Sequence, residues 1–300
     1  MVHHLLSLFE YDNDWIDSVL KKAADLKAHP QKYSSALKNK TLAMLFMKTS
    51  TRTRCSFEAG MTQLGGHAMF LDVRATNYTL GSLEDETKCL SRYADIIMAR
   101  VFKHDEIKAI ARASRVPVIN GLCDLHHPGQ ALGDLLTIKE KVGKLKGTTL
   151  AFIGDGNNVC NSLIIAGSKM GMKIRVATPR GYEPAPHVVA FGKKHGLFLT
   201  HNPVEALRGA DVAYTDTWVS MGEEKEKNKR LRAFKGFQLN MAVLKKAGAS
   251  NAYIMHCLPA HRGVEISDDA IDSKKSVVYD QAENRMHVQK AVMMTLMGKS

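Results

Sequence analysis

No stretch of this sequence approaches the roughly 18 apolar residues that a membrane-spanning helix needs. The opening Met1-Val2-His3-His4-Leu5-Leu6 has no basic segment leading into a long apolar one, so no signal peptide is expected. Cysteine is sparse and poorly placed for cross-linking. The five residues Cys55, Cys89, Cys123, Cys160 and Cys257 are odd in number and scattered, with no CxxC pair. Neither a disulfide framework nor a zinc site is suggested, and the expected compartment is a reducing cytoplasm. Internal repeats and low-complexity tracts are also missing, which excludes a solenoid or an extended disordered array. Acidic residues are outnumbered, 30 against 42 Lys and Arg, for a net charge of +12. Nucleic-acid binding would want the basic residues gathered in a stripe or tail, and here they are spread along the chain. The excess reads as a solvated basic surface, compatible with attraction of small anionic substrates.

What remains is an ordinary globular composition, 45% hydrophobic and 24% charged, in a 300-residue chain long enough for two domains. Short apolar runs alternate with amphipathic stretches. The candidate strands are residues 41–47, 67–73, 94–99 and 116–120, then 148–153, 173–177, 211–215, 252–256 and 276–279. Helical patterns fall between them, as at 162–170 and 241–247. This alternation predicts an α/β fold of two domains, each a mostly parallel sheet flanked by helices. Lys144-Leu145-Lys146-Gly147 is the candidate seam, giving domains 1–143 and 144–281. Residues 282–297 read as a helix able to return to the first domain, and the charged stretch 222–232 as a solvated loop or helix.

In open α/β sheets, ligands bind beyond the carboxyl ends of the strands. After the first run comes Lys48-Thr49-Ser50-Thr51-Arg52-Thr53-Arg54, then a helix with Phe57, Met61 and Leu64 on one face, ending at Gly65-Gly66. Ser50 or Thr51 suits the N-cap. Cations in a first turn oppose the helix dipole by about 0.3–1 kcal/mol each. An anion at that position reverses the sign, since N–H groups, hydroxyls and guanidinium groups then face it together. The segment is therefore read as an anion site rather than a capped helix with solvated arginines. Arg100 closes the third run, either as a surface cap or as a second clamp. Pro128 suits a first helical position, which places His127 and Gln130 at a helix start, able to donate to a carbonyl.

Gly154-Asp155-Gly156-Asn157-Asn158-Val159 begins like a dinucleotide fingerprint and fails it, because Val159 holds the third glycine position. Its two asparagines suit a carboxylate or an amide. Asp216-Thr217-Trp218-Val219-Ser220-Met221-Gly222 offers a carboxylate, a hydroxyl and a glycine in one turn, which suits an ammonium with a carboxylate. Cys257, in His256-Cys257-Leu258-Pro259, is either a reactive thiol or a buried residue beside a proline turn.

Together these segments, with Glu283-Asn284-Arg285, resemble the aspartate/ornithine carbamoyltransferase family, in the family's order and over nearly the whole chain. Residues 216–222 and His256-Cys257-Leu258-Pro259 resemble its ornithine branch. The resemblance implies transfer of the carbamoyl group of carbamoyl phosphate to the δ-amine of L-ornithine, with no metal and no organic cofactor. It implies a carbamoyl phosphate domain followed by an ornithine domain, with the C-terminal helix 282–300 packed back on the first. Ser50, Thr51, Arg52 and Thr53 would hold the phosphate, with Arg285 adding charge. Arg100, His127 and Thr53 would polarise the carbamoyl oxygen, and Gln130 would orient the group. The carbonyls of Cys257 and Leu258 would hold its amino group. Asn158, Asp216, Ser220 and Met221 would fix the amino-acid end of ornithine, with Cys257 and Asp216 near the attacking amine. It further implies a homo-oligomer, a trimer or a multiple of trimers, with shared active sites. In the family a Gln from the neighbouring subunit reaches the phosphate; here Asn77 stands at that place, in a stretch one residue shorter.

Overall fold

The computed structural model describes residues 3–219 and 224–299. The chain divides into two compact units, residues 1–136 with 283–300 and residues 137–282.

The first unit is built on a four-stranded, wholly parallel sheet. Its strands are β1 (Thr41–Phe46), β2 (His67–Asp72), β3 (Ile96–Arg100) and β4 (Val118–Leu122), in the order β2-β1-β3-β4. The helices α1 (Asn13–Ala28), α2 (Thr51–Gln63), α3 (Leu83–Leu90) and α4 (His104–Ala113) connect and flank them, and α5 (Pro128–Val142) follows β4. Central parallel strands are covered on both faces and so read as continuous apolar runs. β1 and β3 fit this: Leu42 to Phe46 and Ile96 to Ala99 are all buried. On one face Ala43, Leu45, Ile97 and Ala99 pack with Ile107 and Ile110 of α4.

The second unit holds five parallel strands: β5 (Thr149–Ile153), β6 (Lys173–Ala177), β7 (Phe198–Thr200), β8 (Val212–Thr215) and β9 (Tyr253–His256), in the order β7-β6-β5-β8-β9. Its helices are α6 (Asn158–Lys169), α7 (Pro186–Lys194), α8 (Pro203–Leu207), α9 (Lys227–Ala233), α10 (Met241–Lys246) and α11 (Asp268–Ile271). Helix α6 is buried from Val159 to Ser168, so its sequence shows no polar face.

The expected α/β architecture with two parallel sheets is present, and so is the returning helix. α12 (Val278–Leu296) brings Arg285 against Gly133 of α5 and Lys290 against Gly60 of α2, and the Lys290 Nζ donates to Gln63 Oε1 at 2.9 Å. One expectation needs correction, and one strand was not foreseen. Residues 276–279 form no strand: Ser276 makes a single bridge to Ile254, and α12 starts at Val278. The edge strand β7, three residues long with Phe198 exposed, went unread because it is too short and too solvated to show alternation.

Each sheet grows outward in two directions from its first strand. The turn after that strand must therefore stay compact. Gly154 leaves β5 at φ +135°, a region L side chains rarely adopt. At Gly156 the N–H donates to the Tyr182 carbonyl at 2.9 Å, and a Cβ there would lie 2.3 Å from Pro184 N and 2.4 Å from the Glu183 carbonyl carbon. These neighbours are backbone and cannot swing away. Gly156→Ala is accordingly expected to destabilise the protein by about 1–3 kcal/mol. Gly129→Ala on α5 meets nothing within 4 Å and should be neutral or stabilising by up to about 1 kcal/mol. Thermal unfolding of both variants checks the contrast; equal midpoints would refute the close-approach account.

Candidate active site

In the first unit the sheet reverses direction beside β1, whose two neighbours are β2 and β3. Residues at the carboxyl ends of β1 and β3 therefore line the crevice where an α/β sheet binds ligands. Ser50 is the N-cap of α2: its Oγ accepts from Thr53 N at 3.3 Å and lies 3.0 Å from Thr53 Oγ1. Thr51 and Arg52 occupy the first turn, with no acidic residue in it. Arg285 reaches in from α12, its Nη2 donating to Thr53 Oγ1 at 3.0 Å. Arg100 ends β3 and is only 6% exposed, which rules out the surface-cap reading. His127, also 6% exposed, stands just before Pro128 at the start of α5.

The electrostatics of this cluster are one-sided. His127 is held well below its ordinary pKa, first by burial and then by the positive charges of Arg285, Arg100 and Lys48. It is thus a neutral imidazole among cations, suited to donating a hydrogen bond without adding charge. Gln130 donates from Nε2 to Asp134 Oδ1 at 2.8 Å, while its Oε1 is buried with no protein partner among the described residues. Its amide is thereby fixed with the acceptor end still available.

One member of the anion segment expected from the sequence sits elsewhere. Arg54 points away: Nε pairs with Glu58 at 3.1 Å, and the guanidinium lies 3.8 Å from the Phe70 ring centroid. Asn77, itself exposed, opens the 3-10 turn Asn77–Thr79, where its carbonyl accepts from Leu80 N, and no described contact of this chain joins it to residues 50–54, in keeping with the expectation that it serves another subunit.

The second unit repeats the device. Its sheet reverses beside β5, between β6 and β8. Asp216, immediately after β8 and 5% exposed, is the hub of this crevice. Its Oδ1 accepts from Cys257 Sγ at 2.9 Å and from Thr217 N at 2.7 Å, and its Oδ2 accepts from Asn157 Nδ2 at 2.7 Å. Asn157 also caps α6, its Oδ1 accepting from the N–H groups of Val159 and Cys160. The asparagine that touches Asp216 is therefore Asn157, not Asn158, whose carbonyl accepts from Ser162 Oγ at 2.8 Å. Ser220, Met221 and Gly222 lie outside the described residues.

Cys257 and Leu258 follow β9. Leu258 has φ +57°, a left-handed conformation that costs a non-glycine residue roughly 1–3 kcal/mol unless its surroundings fix it. They do: Leu258 N–H donates to His256 Nδ1 at 2.8 Å, and His256 Nε2 faces Glu265 Oε1 at 3.2 Å, with His256 and Glu265 fully buried. Asp216, His256 and Cys257 bring possible ligand atoms within 4.8 Å of one another. Both nitrogens of His256 are engaged in holding the turn, so the trio fits a hydrogen-bond network better than a metal centre.

Sequence reading also missed Arg230. It lies in a charged stretch expected to be solvated, yet it is 7% exposed, and its Nη1 pairs with Asp155 Oδ2 at 3.0 Å and donates to the Trp218 carbonyl at 3.0 Å. The signal was Asp155, an acid in a glycine-rich turn directly after a buried apolar strand, which demands a partner when buried.

Two tests follow from these contacts. The unfolded chain protonates His127 near pH 6.5, whereas the folded site resists it. The stability contribution of His127 is thus present above about pH 6.5 and lost as the pH falls. His127→Gln should flatten the pH dependence of the unfolding midpoint below about 6.5, and an unchanged slope would contradict the buried-neutral assignment. Asn157→Ala should cost about 1–2 kcal/mol through the lost cap, most of which Asn157→Ser recovers, as denaturant titration can show.

Comparison with known proteins gives a single answer. Residues 3–140 match the profile described as aspartate/ornithine carbamoyltransferase, carbamoyl-P binding domain, and residues 146–296 match its Asp/Orn binding domain. An anabolic ornithine carbamoyltransferase of Pyrococcus furiosus is 48% identical over 98% of this chain and 96% of its own length. A catabolic one of Halobacterium salinarum is 46% identical over 99% of this chain and 100% of its own. The solved structure of ornithine carbamoyltransferase from Pyrococcus furiosus superposes with a TM-score of 0.94, at 47% identity, covering 99% of this chain and 97% of that one. On its sequence and its fold alike, this chain belongs to the aspartate/ornithine carbamoyltransferase family.

Proposed function

We propose that the protein transfers the carbamoyl group of carbamoyl phosphate to the δ-amine of L-ornithine, giving L-citrulline and phosphate. The observation that carries this reading is the cationic cluster at the ends of β1 and β3, in which Arg100, Arg285 and neutral His127 gather at the N-capped start of α2. Relatives named ornithine carbamoyltransferase over the full length point to the same reaction.

In this reading the N–H groups and hydroxyls of Ser50, Thr51, Arg52 and Thr53 hold the phosphate, helped by the helix dipole and Arg285. Arg100 and His127 donate to the carbamoyl oxygen. The unpartnered Oε1 of Gln130 accepts from the carbamoyl amino group, as do the carbonyls of Cys257 and Leu258. Asn158, Asp216, Ser220 and Met221 bind the amino-acid end of ornithine, and Asp216 with Cys257 lies near the nucleophile.

The nucleophile must be a neutral amine, although a free alkylamine of this kind titrates near ~10.4. Positive surroundings and partial desolvation favour the neutral form. As the amine attacks, negative charge grows on the carbamoyl oxygen and then on the departing phosphate. Donors already in place stabilise that charge more in the transition state than in the ground state. The nitrogen forms its bond to the carbamoyl carbon, the carbon–oxygen bond to phosphate breaks, and the phosphate takes the proton the amine loses. We further assign the protein to the cytoplasm and to arginine metabolism. We assign it a trimer in which Asn77 serves a neighbouring subunit's phosphate site.

Three measurements decide this. With carbamoyl phosphate and a panel of amines, ureido product should form from ornithine and not from putrescine or aspartate. Arg100→Ala should lower kcat by about 10²–10³. Arg52→Ala retaining near-normal turnover at saturating carbamoyl phosphate would overturn the assignment.

A further inference from the structure

His127 is delivered by the turn between β4 and α5, which begins at Cys123, directly after Leu122 ends β4. Cys123 is fully buried, and its sulfur sits at the centre of the turn. It accepts from His126 N at 3.3 Å and from Asn120 Nδ2 at 3.3 Å. Two acceptors lie within reach of the thiol hydrogen: His104 Nδ1 at 3.4 Å and the His126 carbonyl at 3.6 Å. The backbone closes the same loop, since Cys123 N–H donates to the His126 carbonyl at 3.0 Å. Burial pushes the Cys123 thiol up, so it keeps its proton near neutral pH.

Each partner ties in a different element. Asn120 belongs to β4, and its Nδ2 also donates to the Leu6 carbonyl at 2.9 Å, which brings in the N-terminal segment. His104 starts α4; its N–H donates to Asp124 Oδ1 at 2.8 Å, and its ring meets that of His126 edge to face at 5.0 Å. His126 is thus gripped at both its N–H and its carbonyl. The next residue is held from the other side: the His127 carbonyl accepts from Gln130 N at 3.1 Å and from Ala131 N at 3.2 Å in the first turn of α5. The backbone of His127 stands between two clamps, and one of them is built on a sulfur.

We propose that Cys123 is a positioning residue for His127, its sulfur setting the turn that brings the imidazole to the carbamoyl oxygen. The inference rests on the reading of the chain as a carbamoyltransferase. A hydrogen-bond donor stabilises charge that develops in the transition state only from the right place, and a displacement of about 1 Å costs on the order of 10²-fold in rate. The phosphate contacts of that reading come from α2 and α12, which the bonds of this sulfur do not include. Loss of the sulfur therefore acts on turnover and spares phosphate affinity.

The test uses the full chain. Cys123→Ala should lower kcat for citrulline formation by about 10–10²-fold, while the dissociation constant of inorganic phosphate stays within about 3-fold of wild type. Cys123→Ser keeps one donor and two lone pairs with a shorter reach, and should restore kcat to within about 5-fold. In protein with isotopically labelled histidine, the His127 imidazole resonances, assigned by their loss in His127→Gln, should move in Cys123→Ala and return towards wild type in Cys123→Ser. Phosphate titration also counts folded sites. If Cys123→Ala loses sites and turnover in equal proportion, the residue is merely structural and the inference is overturned. Unmoved His127 resonances, or a serine variant no better than the alanine one, would overturn it as well. Cys123→Val keeps the volume without the acceptor and carries the same expectations if the alanine variant does not fold; failure of both to fold assigns Cys123 to stability alone and also overturns the inference. The resonances are read without turnover. If they move as expected while wild type makes no citrulline, the proposed reaction falls and the hold of Cys123 on His127 stands.

Discussion

Everything functional in this fold depends on where each parallel sheet reverses. A strand with one neighbour reached by an early crossover and another by a later one leaves its carboxyl end uncovered, because the two connections depart to opposite sides. β1 and β5 are those strands. Their buried apolar runs fix the register of the sheet, and register fixes which backbone atoms end at the crevice. Phe46 pairs with Arg100 across β1 and β3, so the first residue beyond the apolar run of β3 arrives level with the chain that leads to Ser50. A hydrophobic pattern thus positions a guanidinium.

The strands at the sheet centres were legible because continuous apolar runs bounded by turn residues leave few alternatives. The Ser50 cap was legible too, since a hydroxyl residue before a helical pattern has a specific use. What was not legible was the spending of side chains. Asn157 and Asn158 are equivalent in composition, and only the course of the turn decides that Asn157 caps α6 and holds Asp216. Arg54 and Arg52 look alike at the level of charge, yet helical geometry sends Arg54 to Glu58 one turn along. Arg230 looks like any cation in a charged stretch, and its burial depends on Asp155, some seventy-five positions earlier. Pairings at long separation have no local signature.

The two crevices solve opposite electrostatic problems. The first concentrates positive charge where a helix start adds more, and the strain is relieved by keeping His127 neutral through burial and its cationic neighbours. The second buries a carboxylate, and the relief comes from donors. Their different chemistry follows from what each strand end supplies: guanidinium groups after β1 and β3, amide, thiol and backbone N–H after β5, β8 and β9.

The donors around Asp216 also set how much room it has for anything further. An ionised carboxylate offers about four acceptor directions. Asn157, Thr217 and Cys257 take three of them among the described residues. A carboxylate so restrained cannot rotate to follow a ligand, because turning it breaks bonds whose donors are then left buried and unpaired, at about 1–3 kcal/mol each. It accepts one further N–H from one direction. In the proposed reaction that rigidity has a use: an amino acid with two amines is gripped in a single orientation, and the amine that attacks is the one the crevice leaves unheld.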